Sequence, residues 1–123
     1  MTVRRPATGV VVLAIEGGDA GELGDAPFRE LEKDLSGPAP VALFVDARGT
    51  KGATVDVSNE WALWLRAHRA RLAGVHMLTA SRYVQLTAAL VRRFAELEMM
   101  RLYTDPAAFD EALAAAMRDT APR

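Results

Sequence analysis

Four short apolar runs, separated by segments with helical periodicity, constrain the fold more than any other feature of this sequence. Each run is four to six residues long, which suits a strand and is too short for a typical helix. The runs are Val10–Ile15, Val41–Val45, Val75–Thr79 and Met100–Tyr103. Thr2–Arg4 adds a short candidate edge strand. Because helical segments alternate with the strands, we predict an α/β fold with a single, mostly parallel sheet of four to five strands.

The first and last helices have starts that local chemistry specifies. Asp25-Ala26-Pro27 and Asp105-Pro106 each place an acidic N-cap before a proline in the first turn. The residues expected to be buried are Phe28, Leu31 and Leu35 in the first helix, and Phe109, Leu113 and Met117 in the last. Residues 1–123 are therefore predicted to form one domain, with a core over about residues 8–118.

The second predicted helix begins at Ser58, whose hydroxyl is expected to accept a first-turn amide as the N-cap. The residues at the spacing that faces the sheet are Trp61, Leu65, His68 and Leu72, with Trp64 at the margin. Leu63, Arg66 and Ala70 fall on the opposite side and form a candidate partner face. Because single exposed leucines are common, ordinary solvated helix surface is the alternative interpretation.

The third predicted helix runs from a Ser81 cap to about Glu98. Its apolar stripe is expected to lie in the core and comprises Tyr83, Leu86 or Thr87, Leu90, Phe94 and Leu97, widened by Val84 and Val91. Arg92 and Arg93 lie outside that stripe. An aromatic stripe of this kind is more often core than a cofactor pocket.

The composition excludes several classes of function. The chain has 123 residues, a net charge of −1 and no cysteine, so cysteine chemistry is excluded and nucleic-acid binding is not predicted. His68 and His76 are the only histidines, and neither has the spacing of a metal ligand, so satisfied core histidines are the favoured interpretation. The sequence has no P-loop, G-x-G-x-x-G or G-x-S-x-G motif. We therefore expect no metal, no cofactor, no enzymatic activity and no membrane partner, in a cytoplasmic protein.

Ligand sites in parallel sheets lie beyond the carboxyl ends of the strands. The longest irregular stretch predicted at that edge runs from Asp46 to Val57, and long loops in compact domains are usually functional. The candidate interaction-loop residues are Asp46, Arg48, Lys51, Asp56, Ser58 and Asn59. Ser81 and Arg82, which follow the third long apolar run, are candidate ligand-binding residues.

The stretch Asp56-Val57-Ser58-Asn59 and the order of elements around it resemble the STAS family, the sulfate-transporter and anti-sigma-factor-antagonist domains. The resemblance covers an apolar strand with its acidic helix, "VALFVDARG" as the central strand, "VDVSNEWALWLRAHRARLAGVHML" as motif, helix and strand, and a closing helix-strand-helix. It implies a STAS-like fold and a serine at this helix start that a partner kinase phosphorylates. Val57 stands where the family's phosphoacceptor serine is typically found, and Asn59 where its glycine is.

The helix from Trp61 to Leu72 and the strand "VHMLTAS" look similar to a STAS-like bacterial branch that is also grouped with the CRAL-TRIO lipid-binding fold. The resemblance implies a non-catalytic regulatory module that binds a protein partner, such as an anti-sigma factor or a kinase, and leaves a homodimer open. Ser58 is then either a phosphoacceptor or a helix cap. The alternative is a domain that binds a small apolar or anionic molecule at the carboxyl end of the sheet.

Overall fold

The computed structural model describes residues 1–19, 26–37, 39–53 and 55–120. Within these residues the chain forms five β-strands, four α-helices and one short 3-10 helix. In chain order the elements are β1 (Thr2–Ala7), β2 (Val10–Asp19), α1 (Ala26–Leu35), β3 (Val41–Ala53), α2 (Val55–His68), the 3-10 helix (Arg69–Arg71), β4 (Leu72–Leu78), α3 (Arg82–Phe94), β5 (Met100–Tyr103) and α4 (Pro106–Thr120). Every predicted strand is present, including the edge strand, and β5 has the predicted bounds.

The strands form one sheet in the order β1-β2-β3-β4-β5. β1 is antiparallel to β2, whereas β2, β3, β4 and β5 are parallel to one another. Leu43 and Val45 of β3 pack with residues of α1, α2 and α3, and Phe44 packs with α4. Three helices therefore cover one face of the sheet and α4 covers the other, which buries the parallel strands on both sides.

β3 is much longer than its apolar run. The sequence predicts an irregular loop from Asp46 to Val57, and this prediction is wrong because the strand continues to Ala53. The extension pairs with the end of β2, where Glu16 lies opposite Gly49. A Cβ atom at Gly49 would lie 3.0 Å from Glu16 Cγ, so the close approach of the two strands favours glycine there. Pairing of this kind is made by the backbone and leaves no alternating apolar pattern to detect.

α2 begins at Val55, three residues before its predicted start. Ser58 consequently lies inside the helix, and the prediction that it is the N-cap is wrong. Val57 is only 6% exposed, so packing against the sheet favours an earlier helix start over valine's weak helix propensity. The helix also ends earlier than predicted, at His68, and Leu72 is instead the first residue of β4.

The starts and buried faces of α1 and α4 agree with the sequence. In α4 the Ala107 N–H donates to Asp105 Oδ1 at 3.0 Å, so Asp105 is the predicted cap. α1 begins at Ala26, and its predicted cap, Asp25, lies outside the described residues. The residues predicted for the core are buried or packed against it, namely Phe28, Leu31, Leu35, Phe109, Leu113 and Met117.

α3 begins where predicted, because Ser81 Oγ accepts a hydrogen bond from the Val84 N–H at 3.3 Å. It ends at Phe94, four residues before the predicted end. Beyond this point the chain forms a Schellman motif, in which Glu96 takes the left-handed conformation with a φ of 56°. The following residue, Leu97, is 1% exposed, so it belongs to the core as predicted but from outside the helix.

Candidate functional site

α3 turns its large apolar side chains to solvent. The exposed fractions are 59% for Tyr83, 63% for Leu86, 69% for Leu90 and 55% for Phe94, and we call these four residues the α3 stripe. The prediction that they lie in the core is wrong. The side of α3 that faces the sheet is formed by smaller residues, with Val84 and Ala88 buried and Val91 packed against the core. The small side lets the helix approach the sheet closely, which leaves the bulky side in water.

A groove of about 810 Å³ runs between α2 and α3 beside this stripe. We call it the α2–α3 groove. Its α2 wall contains Ser58, Asn59 and Ala62, and its α3 wall contains the α3 stripe with Thr87, Val91 and Arg93. Ser58 is half-buried there, and no described residue forms a hydrogen bond with its hydroxyl. The groove therefore combines a large apolar surface with a small polar patch at Ser58 and Asn59.

A smaller, apolar cavity of about 110 Å³ lies beneath the groove, between the sheet and the helices α2 and α3. We call it the inner cavity. Its walls include Leu43 and Val75 of the sheet, Trp61 and Leu65 of α2, and Val84 and Ala88 of α3. Ser58, Thr87 and Val91 line both the groove and the inner cavity. These three residues therefore lie at the boundary between the two spaces.

Arginine side chains border the α3 stripe. The guanidinium carbon of Arg66 lies 5.9 Å from the centroid of the Phe94 ring, over its face. Helical geometry places Arg82 and Arg93 next to the outer edge of the stripe, and Arg92 on the opposite side of α3. In the described part of the chain, no carboxylate lies within ion-pair distance of Arg82, Arg92 or Arg93. Arginines therefore border the stripe, and Glu96, the ion-pair partner of Arg69, is a carboxylate that interacts electrostatically with Arg66.

Asp46 and Arg48 lie on the other face of the sheet from Ser58, toward α4. Arg48 donates from Nε to Asp46 Oδ1 at 3.0 Å and from Nη2 to Oδ2 at 2.8 Å. This hydrogen bonding lowers the pKa of the Asp46 carboxyl and raises the pKa of Arg48, to which Asp110 of α4 adds a smaller attraction. The two groups satisfy each other, so they do not offer an unpaired charge to a ligand. The Lys51 side chain lies outside the described part of the structure.

The remaining predicted contact residues lie on α2 and just after it. Asn59 lines the α2–α3 groove, whereas Asp56 is exposed on the outer side of the helix. Of the predicted partner face, Arg66 lies at the groove, Leu63 is 59% exposed beside it, and Ala70 is exposed in the 3-10 helix. The structure thus brings Asn59 and Arg66 to the same groove as Ser58.

Ser81 uses its polar groups to hold the turn between β4 and α3. Its N–H donates to Thr79 Oγ1 at 3.1 Å, in addition to the cap that its hydroxyl provides. Thr79 is 1% exposed, so this turn is anchored in the core. Arg82 follows as an exposed side chain at the start of α3. Ligand binding by Ser81 and Arg82 stays a prediction.

Both histidines have partners within the protein, which confirms their interpretation as satisfied side chains. His68 Nδ1 lies 2.8 Å from the Trp64 carbonyl oxygen, and its ring stacks on that tryptophan. His76 Nδ1 lies 2.9 Å from the Tyr103 hydroxyl. Burial, and secondly the nearby charge of Arg101, lower the pKa of His76. The neutral imidazole is therefore the favoured form of His76 in the folded protein.

The described ranges contain neither a cluster of metal-ligating side chains nor a helix that could span a membrane. No group of three or more histidine, cysteine, aspartate or glutamate side chains is arranged to hold a metal ion among those residues. Over the same residues, no helix combines the length and the apolar character needed to cross a membrane.

The α3 stripe is the functional candidate that the sequence analysis did not find. A signal for it exists, because α3 carries two apolar stripes rather than one. One contains Val84, Ala88 and Val91, and the other is the α3 stripe itself. Since a helix on a sheet needs only one stripe for the core, the second is available for other contacts.

No family model matches the chain, and no curated protein matches it. A solved structure is similar to it: an uncharacterized protein of the DUF3478 family with a SpoIIAA-like fold, from Shewanella loihica PV-4. The two chains are 14% identical, the similarity covers 91% of this chain and 90% of that chain, and the TM-score is 0.68. Similarity at this level of identity shows the fold alone. The chain therefore has the SpoIIAA-like, STAS-like α/β fold that the sequence resemblance implied.

Proposed function

We propose that this protein is a non-catalytic regulatory module that binds a protein partner through the α2–α3 groove. The observation that carries the proposal is the α3 stripe, whose four large apolar side chains are each more than half exposed. Contiguous apolar surface of this kind, bordered by polar and charged groups, is typical of protein-binding sites. The stripe also lies beside Ser58 and Asn59, at the helix where the sequence resemblance to STAS domains implies a regulatory contact.

Two further observations support a regulatory rather than a catalytic role. The STAS-like fold is shared with anti-sigma-factor antagonists, so an anti-sigma factor or a kinase is the partner class that we propose first. In the described residues, the side chains of two pairs of polar groups are engaged with each other, namely Asp46 with Arg48 and His76 with Tyr103. Neither pair borders the groove.

We also propose that phosphorylation of Ser58 switches this contact. Ser58 is the fourth residue of α2, where the helix dipole favours negative charge, and its hydroxyl lies at the boundary of groove and inner cavity. A phosphoryl group carries a charge of about −1.5 to −2 at neutral pH. It would therefore change both the shape and the charge of the groove at the point where a partner enters.

The proposal can be tested with the tagged, full-length protein in its native host. We would identify the proteins that co-purify with the wild type, with Leu90→Asp in the stripe, and with Ala114→Asp, an exposed position on α4 that serves as the matched control. A protein that co-purifies with the wild type and with Ala114→Asp, but not with Leu90→Asp, would then be purified. Its affinity for each of the three proteins would be measured by titration. The expected loss of affinity is about tenfold or more, as for a central interface residue.

An unchanged affinity for Leu90→Asp would contradict the proposed site. For the switch, Ser58→Glu should change the affinity for the partner about tenfold in one direction or the other. Ser58→Ala should leave the affinity close to that of the wild type. Intact-mass measurement of protein from the host would show whether a phosphoryl group is attached. If Ser58→Glu binds the purified partner as wild type does, the switch proposal fails while the groove proposal stands.

The inner cavity favours a second candidate function, the binding of a small apolar molecule. Apolar cavities of about 150 Å³ bind ligands of the size of benzene, and the inner cavity measures about 110 Å³. Its position between the sheet and α2 and α3 differs from the carboxyl-edge site with Asp46 and Arg48 that the sequence suggested. Solvent extraction of purified protein followed by mass spectrometry would reveal a retained ligand. Protein that carries no such molecule and gives no shift of Trp61 fluorescence with benzene would contradict this candidate.

A further inference from the structure

We infer that the occupant of the α2–α3 groove is an acidic amphipathic helix of a partner protein, and that this helix inserts one leucine-sized side chain into the inner cavity. The inference rests on the proposed function and adds to it the chemistry of the partner. Three independent features of the surface lead to it: its shape, the space beneath it and its charge.

The shape of the groove fits a helix. The neighbouring helices α2 and α3 form its walls. The α3 stripe extends from Tyr83 to Phe94, which is a length of about 17 Å at 1.5 Å per residue. About three turns of a partner helix would cover that length. An amphipathic helix that lies in such a groove presents apolar residues at positions i, i+3 or i+4 and i+7. Those contacts would bury Leu86 and Leu90, the two most exposed members of the stripe.

The space beneath the groove supplies a hole for an anchoring side chain. Ser58, Thr87 and Val91 line both spaces, so a side chain that passes between them moves from the groove into the inner cavity. The cavity volume of about 110 Å³ is smaller than that of a cavity of about 150 Å³ that holds benzene, and this favours a leucine-sized side chain over the larger indole of tryptophan. Anchors in desolvated pockets of this kind carry much of the affinity of protein interfaces.

The charge around the groove selects an acidic partner. Arg66 borders it from α2, and Arg93 lines it from α3 with Arg82 beyond the end of the stripe. Glutamate or aspartate on the flanks of a partner helix would meet these arginines. Among the described residues, Arg82 and Arg93 have no carboxylate partner. Complementary charge of this kind sets the orientation and the preferred partner.

A second copy of this chain is a poorer occupant on the same grounds. Two grooves placed face to face would bring the same arginines together. The acidic helix α1 of another copy is already engaged, since its carboxylates interact within the chain: Glu30 and Asp34 with Arg5, and Glu32 with the indole N–H of Trp64. An anionic membrane surface would contact the stripe but, being flat, would leave the inner cavity empty.

The test uses three labelled synthetic peptides of about 18 residues, or five helical turns, in fluorescence anisotropy titrations with the full chain. The first is an amphipathic helix with leucines on one side and glutamates on the other. The second has lysines in place of the glutamates, and the third has alanine in place of the central leucine. We expect the first to bind at least about tenfold more tightly than either of the others.

Two arginine variants give a matched control for the charge. Arg93→Glu should weaken the glutamate peptide about tenfold and strengthen the lysine peptide, because the charge that it reverses lines the groove. Arg92→Glu makes the same change at the preceding residue, which lies on the opposite side of α3, and should change the affinity for neither peptide appreciably. Leu90→Asp should abolish binding of all three peptides.

The inference is overturned if the glutamate and lysine peptides bind equally, or if Arg92→Glu and Arg93→Glu act alike. It is also overturned if the peptides do not bind while phosphatidylserine vesicles do, or if the free protein forms dimers that Leu90→Asp dissociates. A natural partner whose binding is lost with Leu90→Asp but not with Arg93→Glu would refute the acidic helix and leave the proposed function standing. A partner that neither variant affects would refute both.

Discussion

Val84→Ile should raise the free energy of unfolding because it fills part of the inner cavity. Val84 is 6% exposed and lines the space of about 110 Å³. An enclosed empty cavity costs about 24 cal/mol per Å³, so about 2.6 kcal/mol is an upper limit for this space, which is partly open to solvent. One added methylene contributes about 0.8 kcal/mol through burial and removes a share of that cavity term. We expect a gain of about 1 kcal/mol, without a rotamer penalty, since valine and isoleucine share their preferred helical χ1.

Urea unfolding would measure the gain. The transition should move to higher urea at an unchanged slope, because the surface exposed on unfolding hardly changes. Tryptophan fluorescence and circular dichroism should report the same midpoint if the domain unfolds in one step. Trp61 lines the cavity, so a change in its emission in the folded protein would show that the added methylene occupies that space.

The same substitution at Val12 provides the control. Val12 is 2% exposed, packs on the α4 side of the sheet and does not line the cavity. An added methylene in a filled core typically costs about 1–3 kcal/mol, so Val12→Ile should destabilise the protein. If Val84→Ile destabilises it to a similar extent, side chains fill the inner cavity in solution and the reasoning about the anchor site fails with it.

Three further predictions concern stability. Because the pKa of His76 lies below its ordinary value of 6.5, the unfolded chain binds more protons, so stability is complete above about pH 6.5 and decreases as pH falls toward the lowered pKa; urea midpoints between pH 8 and pH 5 would show the loss, and His76→Phe should remove it. Glu96→Gly should stabilise the protein by up to about 1 kcal/mol in urea unfolding, since glycine adopts the left-handed conformation without strain. Trp64→Phe should cost about 1–2 kcal/mol by thermal unfolding, because it removes the 3.1 Å hydrogen bond from the indole to the Glu32 carboxylate.

Each of these predictions has a control. A slope that persists with His76→Phe would assign the pH dependence to other groups. Glu96→Ala keeps the left-handed strain and removes the ion pair with Arg69, so an equal gain from alanine and glycine would contradict the strain argument. Trp61→Phe removes the same part of an indole ring but no hydrogen bond to a described residue, and it should cost less than Trp64→Phe if the hydrogen bond matters.

Sequence reasoning succeeded where one local rule decided the structure. Buried parallel strands appear as short apolar runs, so β2, β4 and β5 could be located from those runs, although β2 continues beyond its run to Asp19 and β4 begins earlier, at Leu72. A cap followed by proline fixed the start of α4 at Asp105, and a serine cap fixed the start of α3 at Ser81. It failed at the β3 extension, where Gly49 and its neighbours pair through the backbone and carry no apolar signal.

The candidate site was harder to predict than the fold, because it depends on which of two alternatives packing selects. Ser58 has the chemistry of a cap, but burial of Val57 starts the helix earlier and turns Ser58 toward α3 instead. α3 has two apolar stripes, and hydrophobicity alone favours burying the larger one. Side-chain volume reverses the choice, since the smaller stripe fits between the sheet and α2, and no periodicity argument includes that volume.

The inner cavity links the stability of the free protein to the affinity of its partner. The empty cavity makes an unfavourable contribution to the free energy of the free protein. A partner side chain that enters the cavity removes this contribution, and the packing that it gains adds to the binding free energy. Val84→Ile should therefore act in opposite directions, stabilising the free protein by about 1 kcal/mol and weakening the leucine-anchored peptide about fivefold, since 1.4 kcal/mol corresponds to tenfold. The alanine-substituted peptide should lose little, because it places no side chain in the cavity. Equal losses for the two peptides would show that the anchor does not enter the inner cavity.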